Sequence, residues 1–456
     1  MRIRSYGGPQ EVPPMRYYPK PQVVGLISGG SIAVKLSMWG ATDVGRTRKV
    51  NEDSFLLSPD HGFVAVADGM GGYQRGDVAA ELACNVIKET ITAHKHVIDL
   101  HRRAPSEAAQ SAVRTMLDTA MQRACKEVYD AAIAMTGKGG RMGTTMDIVL
   151  QSGNTAFIAH VGDGRIFLLR GGEIHQLTQD HTLAAQQAQD GVPLQEISGK
   201  NVITRALGVF PNVLVDALAF DLNVGDRIIV CSDGLYRYVD EQELEKEVPS
   251  DKAATVVERL IGMANERGGR DNISVVVLEA EADTGQADDR ATVRRMEVLR
   301  NVGLFQFCTY RELIRVCQMA ESRTVPAGTT LFEEGSHGRE CFIIEEGQVL
   351  IRKHGQTLAT LGTGDYFGEM SFIDVPRRSA SATVTRDVQM LVIRRNQFLQ
   401  LLKQDSELAA KLMWQLLQKL SRLVRTTNRR LVQEVSTFDG QEVIGNAAGD
   451  TILEES

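Results

Sequence analysis

Short apolar runs that end at turn residues recur through the first half of the chain, and each run predicts a buried strand. The clearest run, Val64–Ala67, leads directly into Asp68 and the glycines of the sequence ADGMGG. A strand covered on both faces shows an uninterrupted apolar stretch, and glycines after it permit a sharp turn. The same pattern predicts further strands at Thr144–Gln151, Thr155–Val161, Arg165–Leu169, Arg227–Cys231 and Ile273–Glu279.

Two segments between these strands have helical patterns, Asp77–Ala93 and Ser106–Met135. In the second segment, apolar residues recur at three- and four-residue steps and form one apolar face. Strands, then a helix pair, then more strands predict an α+β domain in which helices pack on sheets. A polar, glutamine-rich segment from Asp180 to Ile203 is a candidate flap over an active site.

The second half of the chain has a different pattern. Closely spaced glycines between Gly328 and Gly368 separate short β-rich runs, which predicts a small β-barrel or jelly roll. Asn396–Val435 carries a stripe of leucines and predicts one continuous helix. These shifts divide the chain into a flexible arm (1–36), an α+β domain (37–280), an acidic linker (281–295), a β domain with flanking helices (296–435) and a disordered acidic tail (436–456).

Composition and charge narrow the class of protein. The chain has 456 residues, 43% of them hydrophobic, and a net charge of -7, which predicts two or three soluble domains and disfavours nucleic-acid binding. No apolar run reaches the length of a signal peptide core or a membrane span, so no membrane association is expected. The six cysteines are scattered without a CxxC pair, which predicts reduced thiols and a cytoplasmic location.

Four aspartates follow or precede predicted strands, each beside a turn residue: Asp68, Asp163, Asp233 and Asp271. Asp68-Gly69 alone would be equally consistent with a hairpin turn. The recurrence favours carboxylates that meet at one end of the sheets, where hard oxygen donors suit Mg²⁺ or Mn²⁺. Two such ions can polarise a phosphoryl oxygen and activate a water molecule, and no Cys or His cluster indicates zinc.

Six motifs in order carry a family resemblance: RTRKVNED, VADGMGG, GTT, HVGDGR, CSDGL and RDN. Over Ser37–Ala280 the chain resembles the metal-dependent protein serine/threonine phosphatases of type 2C, in their bacterial form. The resemblance implies a four-layer α-β-β-α sandwich. It also implies hydrolysis of phosphoserine and phosphothreonine in proteins by a water activated by two Mn²⁺ or Mg²⁺ ions, without a phosphoenzyme.

The resemblance also assigns metal-binding roles. Asp68 would bridge the two ions, and the carbonyl of Gly69 would bind the second of them. Asp233 and Asp271 would complete the first ion. Asp163, together with Asp233, matches the site of a third, weaker ion.

Further roles and two departures follow from the same motifs. Glu52 would reach a metal through water, Asp53 would lie behind the ligands, and Arg48 would hold the substrate phosphate. Met70 stands where eukaryotic members commonly have a histidine proposed as general acid, so the source of that proton is open. Gly164 stands where the family usually has serine, which we expect to loosen the turn and spare the ligand.

A second candidate site lies in the stretch FGEMSFIDVPRRSASATV. The backbone after Gly368 can direct N–H groups at an anion, Glu369 can accept a hydrogen bond from a sugar hydroxyl, and Arg378 can clamp a phosphate. Ser379 and the small residues after it leave room for that phosphate. The stretch resembles the phosphate-binding cassette of cyclic nucleotide-binding domains, which implies cAMP or cGMP as a regulatory ligand, with Glu369 on the ribose 2′-hydroxyl and Arg378 on the cyclic phosphate.

Two alternatives stay open at this level. The C-terminal domain could serve for protein docking or for a homodimer, with the phosphatase active beside it. The whole chain could instead be a non-enzymatic adaptor that senses a nucleotide, although a catalytically dead domain is expected to lose one of its metal-binding aspartates.

Overall fold

The computed structural model describes residues 16–17, 34–71, 75–136, 142–192, 197, 199, 202–282, 290–373, 377–422 and 424–425. The chain divides into two compact units, Met1–Met296 and Glu297–Ser456. Each unit is described by itself below.

Unit 1 contains two six-stranded sheets. The first has the strand order β1-β2-β12-β11-β8-β9, and the second has the order β10-β7-β6-β4-β3 with β5 paired to β4. Every pairing within them is antiparallel. The strands are β1 (Arg16–Tyr17), β2 (Val34–Asp43), β3 (Asp53–Ser58), β4 (Phe63–Gly71), β5 (Met142–Thr144), β6 (Met146–Ser152), β7 (Thr155–Val161), β8 (Arg165–Arg170), β9 (Glu173–Gln176), β10 (Asp216–Asp221), β11 (Arg227–Cys231) and β12 (Ile273–Ala282).

Helices cover these sheets. The helices of unit 1 are α1 (Gly76–Ala93), α2 (Lys95–Arg103), α3 (Glu107–Thr136), α4 (Leu183–Gln189), α5 (Asp233–Tyr236), α6 (Glu241–Glu247) and α7 (Ala253–Glu266); the boundary between the two units falls inside α8 (Arg290–Asn301). Helix α1 packs on β4 and on α3, while α7 packs on β12 and β2. The two helices predicted from periodicity are thus α1 and α3, and the α+β class is confirmed in these elements.

Burial explains why the strands are so apolar. Every residue of β6 and β7 is buried, as expected for strands covered on both faces. One core cluster joins Phe63 and Phe157 to α1 and α3, and another joins Phe167 to Leu260 of α7. These packed strands give fixed supports for the side chains at their ends.

Unit 2 contains one antiparallel sheet of six strands with the main order β13-β18-β15-β16; β14 pairs with β18 and β17 with β15. None of the pairings among the described strands joins β13 to β16, so these strands do not close a barrel, and the prediction of a β-barrel or jelly roll is supported only as far as the antiparallel sheet. The elements are β13 (Glu321–Val325), β14 (Thr330–Phe332), β15 (Glu340–Lys353), β16 (Gln356–Leu361), β17 (Tyr366–Phe367), β18 (Ser381–Arg394), α9 (Tyr310–Met319), α10 (Met370–Ile373), α11 (Arg395–Gln404) and α12 (406–422).

The prediction of one continuous helix from Asn396 to Val435 is wrong at Asp405. This residue has extended backbone angles (φ -140°, ψ 99°) and ends α11. Its side chain accepts the N–H of Leu408 at 3.0 Å, so it caps the start of α12. The part of the predicted helix beyond residue 425 lies outside the described residues.

Three other predictions concern the edges of the domains. Strand β2 begins at Val34 and pairs with Arg16–Tyr17, so the predicted arm contributes to the first sheet; its other residues lie outside the described part. Strand β12 runs to Ala282 and α8 starts at Arg290, so both ends of the predicted linker belong to regular elements; its residues 283–289 lie outside the described part. The predicted tail lies outside the described residues too.

None of the described helices has both the length and the apolar character needed to cross a bilayer.

Candidate functional sites

The predicted carboxylates of unit 1 come together where strands end. Asp68 in β4 lies opposite Asp53, the first residue of β3. Asp163 follows β7, Asp233 opens α5 directly after β11, and Asp271 stands two residues before β12. The charges of the four other aspartates all act on the pKa of Asp68, so the five carboxylates form one cluster.

Several oxygens in this cluster have no protein partner. Ser232 Oγ donates to Asp53 Oδ2 at 2.7 Å, and Arg237 pairs with Asp233 Oδ2. The second oxygens, Asp53 Oδ1 and Asp233 Oδ1, are buried without a hydrogen-bond partner in the described structure, and so is Asp163 Oδ1. A buried carboxylate oxygen without a donor is costly, so these atoms indicate a place for a cation.

Burial dominates the electrostatics of the cluster. It raises the pKa of Asp53 and of Asp163 to about 7, with nearby carboxylates adding to the shift. Burial and the charges of Asp53 and Asp233 raise the pKa of Asp68 well above its ordinary value. The pKa of Asp233 is also raised by burial, although the guanidinium of Arg237 opposes the shift. The cluster therefore resists ionisation until positive charge enters it.

Two arginines reach the same edge of the cluster. The Nη2 atom of Arg48 lies 2.9 Å from Asp271 Oδ1 and 3.1 Å from Asp271 Oδ2, and its Nη1 lies 3.9 Å from Glu52. Arg237 Nη1 lies 3.9 Å from Asp271 Oδ2. Arg48 thus stands where the sequence placed it, beside the acids, while Arg237 was not singled out. Its position one helical turn after Asp233 was the available signal.

The backbone around Gly69 is closely packed. Its N–H donates to the carbonyl of Glu52 at 3.1 Å, and a Cβ at this position would stand 2.1 Å from the carbonyl oxygen of Gly76. Asn272 fixes the preceding loop, because its Oδ1 accepts the N–H of Glu52 and its Nδ2 donates to two carbonyls within 44–50. Only glycine therefore fits at position 69. Asn272 is the last residue of the RDN motif, which alone assigns it no role, and the structure shows that it positions the loop before Glu52.

The turn after β7 has a steric reason for its unusual glycine. A Cβ on Gly164 would stand 1.9 Å from Asp147 Oδ2. Asp147 is fully buried, and its Oδ1 lies 2.7 Å from Nδ1 of His160. Burial opposes a charged imidazole, but Asp147 outweighs it and the pKa of His160 is raised. Asp147 therefore occupies the space that a side chain at Gly164 would need, a relation that no local pattern could reveal.

The donor set of the cluster suits a hard divalent cation. The convergent side chains that could bind a cation are all carboxylates, and three of their buried oxygens lack partners in the described structure. In the arrangement described, no three His, Cys, Asp or Glu side chains among the described residues are grouped so as to hold an ion. Arg237 and Arg48 pair with Asp233 and Asp271 in that arrangement, so these two carboxylates would have to exchange an arginine contact for a metal.

In unit 2, Arg378 is buried beside the cassette backbone. Its guanidinium lies 4.1 Å from the ring centroid of Phe332, and its Nη1 donates to the carbonyl of Glu340 at 3.0 Å. The Nε atom is buried without a partner in the described structure, and burial lowers the pKa of the side chain. A Cβ on Gly368 would stand 2.6 Å from Arg378 Nη1, so the cassette backbone runs directly over the guanidinium.

Glu369 has a different partner. Lys419 of α12 lies 2.8 Å from Glu369 Oε1 and 3.7 Å from the ring centroid of Tyr366. Glu369 lines a cavity of about 300 Å³ with Leu416 and Lys419, whereas Arg378 lines a separate cavity of about 330 Å³. The structure thus brings Gly368 and Arg378 together but opens Glu369 and Arg378 to different cavities. Ser379 is exposed, and residues 374–376 of the cassette lie outside the described part.

Comparisons with known proteins cover both units. Residues 322–405 match the family model "Cyclic nucleotide-binding domain", and residues 45–276 match "Protein phosphatase 2C". The serine/threonine phosphatase Stp of Listeria monocytogenes is 33% identical over 248 residues, which are 53% of this chain and 94% of Stp. Protein phosphatase PhpP of Streptococcus pneumoniae is 31% identical over 261 residues, 54% of this chain and 98% of PhpP.

A solved structure is similar to the same part of the chain. It is the catalytic domain of the serine/threonine protein phosphatase PstP in complex with two manganese ions, with 29% identity, a TM-score of 0.47, and coverage of 55% of this chain and 100% of that one. The match of the phosphatase model to more than half of the chain, with relatives above 30% identity covered almost in full, settles the classification. The chain belongs to the protein phosphatase 2C family and carries a C-terminal cyclic nucleotide-binding domain match.

Proposed function

We propose that unit 1 hydrolyses phosphoserine and phosphothreonine in proteins with the help of Mn²⁺ or Mg²⁺. The observation that carries the proposal is the set of buried, unpartnered oxygens on Asp53, Asp163 and Asp233 around Asp68. Such a cluster needs compensating positive charge, and carboxylates alone favour a hard divalent cation.

Four groups would hold two ions. Asp68 would bridge them, the carbonyl of Gly69 would bind the second, and Asp233 and Asp271 would complete the first. Asp163 would hold a third ion with Asp233. The close packing at Gly69 supports this assignment, because a Cβ there would meet the carbonyl oxygen of Gly76 and only glycine lets the backbone lie this close beside Asp68.

The remaining polar groups would orient the acids and the substrate. Ser232 donates to one oxygen of Asp53 and the other has no partner in the described structure, while Glu52 would contact a metal through water. Arg48 has a planar, two-pronged donor beside Asp271 and would turn it to the phosphate. Met70 carries no exchangeable proton, so another group must protonate the leaving oxygen. When bound, the ions would activate a water molecule and polarise the phosphoryl group.

The test is turnover of a phosphothreonine peptide by the full chain with Mn²⁺, with Mg²⁺ and after removal of metal by a chelator. Activity that depends on the added ion is expected. Equal turnover before and after chelation would contradict the metal assignment, and no turnover with any ion would favour the adaptor alternative.

For unit 2 we propose binding of cAMP or cGMP and regulation of the phosphatase. The support is the family match over residues 322–405 and the buried guanidinium of Arg378, whose Nε lacks a partner. Arg378 would bind the cyclic phosphate with Gly368 and Ser379 beside it, and Glu369 would bind the ribose. Cyclic nucleotide can change turnover only if the two catalytic states bind it differently, and typical couplings of about 1–3 kcal/mol correspond to about 5- to 150-fold.

Calorimetry with each nucleotide, followed by turnover at saturation, tests this half. Binding together with a change in kcat or KM is expected. Binding without any kinetic change would limit unit 2 to sensing or docking, and no binding of either nucleotide would favour docking or dimerisation.

A further inference from the structure

An exposed apolar ledge stands beside the carboxylate cluster of unit 1. We define the ledge as Val209, Phe210 and Leu214, whose exposed fractions are 36%, 67% and 67%. The segment 207–215 that carries it (LGVFPNVLV) contains no charged residue. Single exposed apolar residues are common, but three large ones on one short segment indicate a contact surface.

The segment is held firmly, so the exposure is imposed by the fold. Cys125 Sγ donates to the carbonyl of Phe210 at 3.1 Å. The side chain of Gln122 makes two hydrogen bonds to the backbone of Val213. Its Nε2 donates to the carbonyl at 2.7 Å, and its Oε1 accepts from the N–H at 3.3 Å. Gly208 has φ +84°, and a Cβ there would stand 2.2 Å from Val128. Helix α3 thus fixes the backbone while the ledge side chains face outward.

Thr144 connects the ledge to the candidate active site. Its N–H donates to the carbonyl of Leu207 at 3.1 Å, and its own carbonyl accepts the N–H of Leu207 at 2.9 Å. The hydroxyl of the same threonine donates to the carbonyl of Asp68 at 2.9 Å. One residue therefore bonds to the central aspartate and to the segment that carries the ledge.

The apolar surface continues to Met70. In β4 and β5, Met70 lies opposite Gly143. A Cβ on Gly143 would stand 3.1 Å from Val209 Cγ2 and 3.8 Å from Met70 Cγ, so both side chains flank the same point. Met70, the residue next to Gly69, and Val209, the first residue of the ledge, therefore both lie beside Gly143.

We propose that the ledge, with Met70, binds an apolar side chain that flanks the phosphorylated residue of a phosphoprotein substrate. The inference rests on the function proposed above and specifies its substrate class. The position of Val209 beside Met70 and the bonds of Thr144 to Asp68 and Leu207 favour this occupant, because they place the ledge segment next to the point where the phosphate would bind. Three side chains offer too little area for a second copy, since stable interfaces bury about 800 Å² on each partner.

The experiment compares two phosphothreonine peptides that carry either phenylalanine or serine on both sides of the phosphothreonine. The wild-type full chain with Mn²⁺ should prefer the phenylalanine peptide by about tenfold in kcat/KM. A ratio of this size corresponds to the free energy gained when one apolar side chain is buried. In Phe210→Ala and in Phe210→Ala/Leu214→Ala this preference should fall toward one. Leu100→Ala, which changes another exposed leucine of the same unit (58% exposed), should retain it.

Three results would overturn the proposal. One is a wild-type enzyme without preference between the peptides, and another is an equal loss on both peptides in the ledge variants. The third is a dimer in sedimentation that Phe210→Ala dissociates, which would assign the ledge to self-association. Absence of wild-type turnover on both peptides and on p-nitrophenyl phosphate would instead overturn the proposed phosphatase function itself.

Discussion

The two candidate sites differ in how their charged side chains are arranged. In unit 1 five carboxylates converge, and three of their buried oxygens have no partner. In unit 2 both groups expected to bind a nucleotide already have protein contacts: Glu369 pairs with Lys419, and Arg378 contacts the carbonyl of Glu340 and the ring of Phe332, although its Nε lacks a partner in the described structure. In both sites a ligand must replace existing ion pairs, those of Arg48 and Arg237 in the first and that of Lys419 in the second. Only in the first site does the ligand also relieve repulsion among like charges.

This difference has a consequence for affinity. A cation entering the acidic cluster relieves repulsion and satisfies buried oxygens, so the protein favours its binding. A nucleotide entering unit 2 must displace Lys419 from Glu369 and so pays for contacts that already exist. Substitutions should therefore act by loss of charge in unit 1 and by competition in unit 2.

The largest effect is expected for Asp68→Asn. The amide keeps the shape but removes the charge at the centre of the cluster, so turnover of a phosphopeptide with Mn²⁺ should fall about 1,000-fold. Asp118→Asn, an exposed aspartate on α3, is the matched control and should keep wild-type turnover. Wild-type activity in Asp68→Asn would remove this residue from the site.

Arg378→Ala should weaken binding of cyclic nucleotide by about 100-fold, because it removes a buried partner of the phosphate. The neighbouring Arg377 is exposed and offers a control at almost the same place, and Arg377→Ala should change the affinity little. Calorimetry measures both, with thermal unfolding to confirm that the variants fold. Equal losses in the two variants would indicate a general electrostatic effect in place of a clamp.

The pH dependence of metal binding should follow the raised pKa values of the acidic cluster. Asp53 and Asp163 have pKa values of about 7, because burial holds their protons, so Mn²⁺ must displace protons below that pH. The apparent affinity should rise by about tenfold per pH unit up to about pH 7 for each proton released, and then level off. Calorimetry between pH 5.5 and 8 in buffers of different ionisation enthalpy counts these protons, and a flat profile would contradict the shifts.

The same shifts predict the stability of the metal-free chain. A carboxyl whose pKa is higher in the folded than in the unfolded state stabilises the fold most below the ordinary value, and this contribution is lost as the pH rises through about 7. With a chelator present, Tm should therefore fall between about pH 4 and 7 on account of these groups. Added Mn²⁺ should raise Tm most at the upper end of that range.

Gly164→Ser tests another buried carboxylate of unit 1, Asp147, which has one oxygen bonded to His160 and the other without a partner in the described structure. The new side chain would meet Asp147 Oδ2, so unfolding should become easier by about 1–3 kcal/mol. Combining it with Asp147→Ser removes the clashing oxygen and should restore part of the loss, which a double-mutant cycle of denaturation measures. Additive effects in the cycle would show that the two residues do not share this space.

Site residues could be predicted from the sequence where the residues next to them in the chain identify them. Asp68, Asp233 and Asp271 follow or precede continuous apolar runs, and a strand end next to a glycine can be recognised from neighbours alone. The contact of Asp147 with Gly164 and the contact of Thr144 with Asp68 join distant segments, so periodicity contains no trace of them. The break at Asp405 was missed because the leucine stripe continues across it, although an aspartate before a new helical turn is a known capping signal.

The smallest predicted effect concerns the ion pair between Lys419 and Glu369 in unit 2. Lys419 is partly exposed, and exposed ion pairs contribute about 0.2–1 kcal/mol, so Lys419→Ala should tighten nucleotide binding by up to about fivefold by freeing Glu369. Lys403→Ala, a lysine in the last turn of α11, is the control for loss of one positive charge. Loss of a cation should by itself weaken binding of an anion, so a gain in affinity can come only from removal of a competitor. If Lys419→Ala weakens binding to the same extent as Lys403→Ala, Lys419 attracts the ligand and does not compete with it, and Glu369 is available to the nucleotide without exchange.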